Sequence, residues 1–337
     1  MAEENNPYGI NTTKRYVSEG AERELYASHL IRNHAKVELV DYMGGDDMAI
    51  RVATAGHGTG IFPERPLRKD FIKHLVAKGI ETPFKSIQLK FNFKTPIESA
   101  LTLVYEPTAS VNEYSGRYSQ MLDSAYTPLP GDIGDIADID KSKKIHDEIK
   151  KIREKAVLNY QGMLRLDFAR ELARAGLGIN NDTAFFWKND LVSIANFVER
   201  QRKLLANESI TRDIIEQIAE TASKVAPESW GALTNKYFVK TISLTYPSDD
   251  EIVDSPLSPP QWSPTTTRRT VVSSLEKELF SPKPMLDHGE FQPVDYIGDD
   301  NSFAEAARIS YGSGTKKLQD NINLTRSLIR DLHTSPI

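Results

Sequence analysis

"KSIQLKFNFKTPI", residues 85–97, alternates Ile87, Leu89, Phe91 and Phe93 with Gln88, Lys90, Asn92 and Lys94. A period of two puts the apolar side chains on one face of a strand and the amides and ammoniums on the other, which describes a sheet with one dry side. The strand reading ends at Pro96. Further along the chain the period changes. Ile145, Ile149, Ile152, Ala156 and Tyr160 mark one helical stripe, Leu191, Ile194, Ala195 and Val198 a second, and Ile214, Ile218, Ala222 and Val225 a third. Helix is expected to dominate after residue 140, so the fold class is α+β, an antiparallel or mixed sheet with a helical part.

A chain of 337 residues with 39% hydrophobic content can bury a sizeable core. Its 42 Lys and Arg against 47 Asp and Glu leave a net charge of -5, which argues against a general electrostatic grip on nucleic acid or an anionic membrane. Cysteine is absent. That removes disulfides, thiolate metal sites and a cysteine nucleophile, and it suits a reducing compartment. No window approaches the ~18 consecutive apolar residues of a membrane span, and the polar N-terminus has no apolar signal core, so a cytoplasmic location is expected.

Composition divides the chain into an N-terminal arm (1–36), a main domain (37–246), a linker (247–293) rich in Pro, Ser and Thr at its start, and a further segment (294–337). That last segment begins an internal repeat. "GDDMAIRVATAG" starts at Gly45 and "GDDNSFAEAARISYG" at Gly298; carried forward without a gap, the alignment lays Leu75 on Leu328 and Pro83 on Pro336. The second copy is incomplete, stopping at Ile337 where the first continues into its strand.

The densest run of recognition groups is "ASVNEYSGRYS", residues 109–119. Its spacing S-x-N-E-x-S-x-R-Y, at Ser110, Asn112, Glu113, Ser115, Arg117 and Tyr118, resembles the signature R-H-R-x-x-S-x-N-E-x-S-x-R-Y of the flavin-dependent thymidylate synthases. "VELVDYMGGDD" (37–47), "ETPF" (81–84), "ELARAGL" (171–177) and "FFWKNDLVSIANF" (185–197) look like further blocks of that family in the same order. The resemblance implies reductive methylation of dUMP to dTMP without an enzyme thiolate, using FAD, NADPH and methylenetetrahydrofolate, in a tetramer whose sites are shared between subunits. It puts Glu113, Ser115, Gly116, Arg117 and Arg174 at the nucleotide, with the Ser115 hydroxyl beside the reacting base as the catalytic position and Arg117 at the phosphate. Asn196 matches an asparagine near the flavin.

The flavin side of the first copy departs from the pattern. Tyr105-Glu106-Pro107 stands where the resemblance expects R-H-R, Thr102 replaces a glutamine, and Gln201 replaces an arginine, flanked by Arg200 and Arg202. In the second copy Ala307-Arg308-Ile309-Ser310 and His333-Thr334-Ser335-Pro336 read as the family's flavin-side blocks, so Ser310 and His333 are the better flavin candidates. Two functions stay open: a dUMP-methylating enzyme, or a non-catalytic nucleotide-binding or scaffold subunit supporting a complete copy. A methylase of another uridine nucleotide is a third, since a uracil motif does not fix the sugar.

Blander readings stand beside these. Ser115 and Arg117 also suit a surface turn with a chance salt bridge, and Arg174 an i−3 ion pair with Glu171. "TAGHGTG" (54–60) lacks the Gly-Lys-Ser/Thr ending of a phosphate loop and reads as a surface loop with a solvated His57. His29 and His34 have no metal-ligand spacing, and "KSKKIHDEIKKIREK" reads as the wet face of a helix.

Overall fold

The computed structural model describes residues 9–55, 65–117, 119–122, 124–128, 139–205, 209–235, 265–285, 289–309 and 318–330. Its strands are β1 (Asn11–Thr13), β2 (Ser28–Ile31), β3 (Ala35–Met43), β4 (Gln88–Pro96), β5 (Ser110–Glu113), β6 (Asp182–Asp190), β7 (Thr265–Thr267), β8 (Lys283–Met285) and β9 (Gly289–Phe291). Its helices are α1 (Glu19–Glu24), α2 (Asp46–Ala55), α3 (Arg65–Ala77), α4 (Ile97–Val104), α5 (Ile139–Arg165), α6 (Arg170–Ala173), α7 (Leu191–Leu204), α8 (Ile210–Val225), α9 (Pro227–Thr234), α10 (Ser273–Leu279), α11 (Asp300–Ile309) and α12 (Leu318–Arg330).

The main sheet runs β2-β3-β4-β6-β5 with every neighbour antiparallel. Alternation along β4 organises it. Phe91 stands opposite Leu39 and Trp187, and Phe93 opposite Val37 and Phe185, so three strands present one apolar slab. The Phe93 and Phe185 rings stack at 5.1 Å, and the Trp187 indole N–H, fully buried, donates to the Leu103 carbonyl at 3.1 Å. The stripes of α7 and α8 lie in the same core, with Leu191, Ile194, Val198, Ile214 and Ile218 excluded from water. Asp190 stops β6 and starts α7 by accepting from the Ser193 amide at 3.0 Å. The Asp46 carboxylate likewise caps α9 from a distance, accepting from the Glu228 and Ser229 amides at 3.0 and 2.8 Å.

Several expectations are corrected. Over its described residues the segment expected as an N-terminal arm belongs to the fold: Ala21 and Leu25 are in the core, β2 pairs with β3, and β1 pairs with β7. The described part of the expected linker is also tied in, because Arg269 is 1% exposed and its neighbours form β7. Residues 182–190, inside the region expected to be helical, form β6, since "DTAFFWKND" alternates as β4 does. In α5 the stripe is only partly covered: Tyr160 is buried while Ile152 is 68% exposed.

Under the offset read from the sequence, α11 (Asp300–Ile309) and α12 (Leu318–Arg330) fall where α2 (Asp46–Ala55) and α3 (Arg65–Ala77) fall earlier in the chain. The second helical hairpin does not stand apart; α11 packs on β5 and β6, over the polar face of the first copy's sheet.

Phe93→Ala removes a fully enclosed ring from the centre of the slab, and urea denaturation should show a loss of about 3–5 kcal/mol. Ile152→Ala, at an exposed point of α5, should stay within about 0.5 kcal/mol of the parent.

Candidate functional site

The nucleotide motif begins on β5 and leaves the sheet in a turn. Pairing to β6 ends at Glu113, whose carboxylate accepts the Thr183 hydroxyl at 2.8 Å, and the Tyr114 amide still reaches the Ala184 carbonyl at 2.8 Å. Beyond it the Ser115 hydroxyl accepts the Arg117 amide at 3.3 Å, a short local turn that holds Ser115, Gly116 and Arg117 together. Gly116 is buried against Arg174: a Cβ there would meet Met121 Sδ at 2.5 Å and Arg174 Nη1 at 3.1 Å. A larger residue at 116 would have to displace the Met121 and Arg174 side chains. The Met121 amide is itself fixed by the Tyr160 hydroxyl of α5 at 2.9 Å.

Arg174 follows α6, and Glu171 within α6 pairs with Arg117 at 2.8 Å. The i−3 pair between Glu171 and Arg174 is therefore not formed; among the described residues no carboxylate pairs with Arg174. Two guanidiniums and one carboxylate thus converge beside Gly116. The Arg117–Glu171 pair is exposed, 60% and 52% for the two side chains, so it contributes little to stability and is readily exchanged for another anion. Ser115, Gly116, Arg117 and Arg174 are brought to one place with Glu113 at the strand end before them, bonded to Thr183, whereas Tyr118 lies outside the described residues.

The flavin side is separate. An open groove of about 490 Å³ is lined by Thr102, Tyr105, Glu106, Pro107, Arg200 and Gln201, with Leu101 at its wall. Glu106 is 7% exposed, ion-pairs with Arg200 and accepts the Thr108 hydroxyl at 2.9 Å. Arg202 turns away to Glu216, its pair at 2.6 Å. Where a flavin diphosphate would need free cations, the groove offers a carboxylate and an arginine already neutralised by it, so these residues do not fit that group. Asn196 is exposed on α7, one turn before Arg200. Ser310 and His333 lie outside the described residues, as does His57. Arg308, two residues before Ser310, has Nε and Nη2 buried without a hydrogen-bond partner among the described residues.

A second cavity, of about 370 Å³, lies between the polar face of the sheet and α11–α12, with Lys90, Ser110, Asn112 and Lys188 on one wall and Ser302 and Phe303 on the other. Nearby, burial holds the Glu305 carboxyl above its ordinary range, with Lys90 opposing the shift. Sequence reasoning missed this cavity and the role of Arg200. Alternation along β4 and β6 shows Lys90 and Lys188 on the wet face, but nothing local places α11 over them. Two histidines meet carboxylates, His29 with Glu24 at 2.9 Å and His34 with Asp182 at 2.7 Å, and His146 meets the Pro128 carbonyl at 2.8 Å.

The sequence model of the family described as "Thymidylate synthase complementing protein" matches residues 38–228. A flavin-dependent thymidylate synthase of Wolbachia pipientis wMel is 32% identical over 200 residues, covering 56% of this chain and 69% of the relative. Its counterpart in Rickettsia typhi is 32% identical over 214 residues, covering 56% and 72%. Among solved structures, a UMP/dUMP methylase, PolB from Streptomyces cacaoi bound with 5-Br dUMP, shares the fold at a TM-score of 0.53 and 21% identity, over 59% of this chain and 94% of that one. With its motif turn, its sheet and more than half its length matching, the chain belongs to the thymidylate synthase complementing protein family, that of the flavin-dependent thymidylate synthases.

Proposed function

We propose that this chain serves the reductive methylation of dUMP to dTMP and that its first copy holds the nucleotide. The observation that carries the reading is the packing of Arg174 on the Gly116 backbone beside Arg117, which sets two guanidiniums around one turn. A phosphate carries more charge and more acceptors than the Glu171 carboxylate and would take Arg117 from it. Backbone approach at Gly116 would leave the Ser115 hydroxyl beside the pyrimidine, and Glu113, held by Thr183, would accept from the ribose or the base.

Flavin supplies the reducing equivalents in this chemistry, with NADPH to recharge it and methylenetetrahydrofolate as the carbon donor. Because the groove at 105–107 does not fit a flavin diphosphate, the flavin contacts fall in this reading to Asn196, Ser310 and His333. Assembly as a homo-oligomer, a tetramer by likeness, and a cytoplasmic location complete the proposal; among the described residues no helix is long and apolar enough to cross a membrane.

The Glu106–Arg200 pair favours a second reading, in which the chain binds the nucleotide but supports catalysis by a complete copy. Residues 37–246 as one domain and 294–337 as the beginning of another suit either.

Titration calorimetry with dUMP should show binding, weakened about 10- to 100-fold by Arg117→Ala, the loss of one charge-assisted contact of roughly 1.5–3 kcal/mol. UMP in the same cell tests the sugar. Tritium release from [5-³H]dUMP, with flavin, NADPH and methylenetetrahydrofolate supplied, should follow the same order; dUMP binding without release selects the supporting role, and no binding to either nucleotide overturns both. Tyr105→Arg, which puts a cation at the exposed edge of the groove, should raise the flavin absorbance near ~450 nm that copurifies with the chain.

A further inference from the structure

The chain touches itself twice in the same way around one approximate two-fold axis. That axis passes through the antiparallel pair of β1 and β7, where Thr12 faces Thr266 while Asn11 faces Thr267 and Thr13 faces Thr265. On one side Arg15 donates to the carbonyls of Thr270 at 2.8 Å and Tyr296 at 3.4 Å, and its guanidinium sits 4.0 Å over the Tyr296 ring. On the other, Arg269 donates to the carbonyls of Tyr16 and, at 2.9 Å, Tyr42, and sits 4.1 Å over the Tyr42 ring. The Thr13 hydroxyl reaches Glu276 at 3.0 Å and the Thr267 hydroxyl reaches Glu22 at 2.5 Å. Each carboxylate also takes a tyrosine hydroxyl, from Tyr296 at 2.7 Å and Tyr42 at 2.6 Å. The Gly298 amide donates to Asp41 at 2.8 Å and the Gly44 amide to Asp295 at 3.1 Å. Every one of these residues has its counterpart 254 positions away, as 15 has 269 and 42 has 296.

These contacts are reciprocal and desolvated. Arg15 and Arg269 are each 1% exposed, Thr13 2% and Thr267 1%, and each arginine's carbonyl partners lie on the opposite copy. Separating the copies would remove those acceptors and open both guanidiniums to water, so each arginine owes its enclosure to the opposite copy. Such reciprocity, with i against j and j against i, is the mark of an isologous subunit contact.

We propose that residues 11–47 and 265–298 form a subunit–subunit interface made within one polypeptide, the second copy of the domain standing on the first as its dimer partner. The partner's share then includes α11, whose Ala306 carbonyl accepts from the Asn112 amide and whose Ser302 and Phe303 close the cavity on the first copy's polar sheet face. That cavity is incomplete without the second copy. The two-fold is assigned to a single chain.

Because the chain has no cysteine, a pair introduced on the axis reports the partner directly. Thr12 and Thr266 are exposed and opposite one another. On mild oxidation the purified full chain carrying Thr12→Cys and Thr266→Cys should give a faster-running monomer on a non-reducing gel, and neither single variant should give a covalent dimer. A short bismaleimide, which tolerates separations that disulfide geometry forbids, should give the same monomeric product. Covalent dimers from the double variant would place the arms on different chains, dimers from Thr12→Cys alone would show β1 pairing with its own kind, and no cross-link with either reagent would remove the interface; each of these overturns the proposal. None of these results depends on nucleotide binding, so they are independent of the function proposed above.

Discussion

A strand in the middle of a sheet must satisfy two solvents at once, and β4 carries that constraint for this molecule. Its odd-numbered side, with Leu89, Phe91 and Phe93 fully enclosed, dictates where α7 and α8 pack. Its even-numbered side, with Lys90, Asn92 and Lys94, stays polar, so an element that covers it must offer polar partners. The turn carrying Ser115 to Arg117 is reached only because β5 is registered on β6, and β6 on β4. A slip of one residue in either ladder would turn Asn112 and Glu113 to opposite faces.

The parts of this arrangement that rest on local periodicity were legible: β4, the stripes of α7 and α8, and the motif turn. Arg174 falls beside Gly116. What could not be read was set by partners far away in the chain. "NTTKR" at 11–15 looks like a frayed arm until "TTTRR" at 265–269 pairs with it, and each arginine looks like surface charge until its carbonyl acceptors arrive from the other copy. A signal was present: "VDYMG" at 40–44 matches "VDYIG" at 294–298 with an offset of 254, but the offset drops to 253 after the extra glycine at Gly45, and an ungapped comparison begun at that glycine misses everything before it. The stripe on α5 failed for the opposite reason, because periodicity shows which residues share a face and not whether anything covers that face.

The residues expected at the nucleotide and those expected at the flavin differ in chemical character. At 113–117 the charges are exposed and exchangeable, with Arg117 resting on Glu171. At 105–107 Glu106 is buried and Arg200 is engaged with it, so the charge needed for an anionic cofactor is neutralised from within. One set holds an exposed ion pair; the other holds a pair whose carboxylate is buried.

The near-symmetry of the arginine clasp also bears on how this chain can change. In a homodimer every substitution at the axis is made twice, so a favourable change on one side is tied to its effect on the other. Where both sides are encoded separately that tie is broken, and the clasp already records it: Tyr16 and Thr270 occupy equivalent places, as do Ser18 and Val272. Ser18 caps α1 by accepting from the Ala21 amide, whereas Val272 offers α10 no side-chain acceptor. Mutational drift at this interface is therefore single-sided, and the two copies can specialise while the residues that hold them together stay matched.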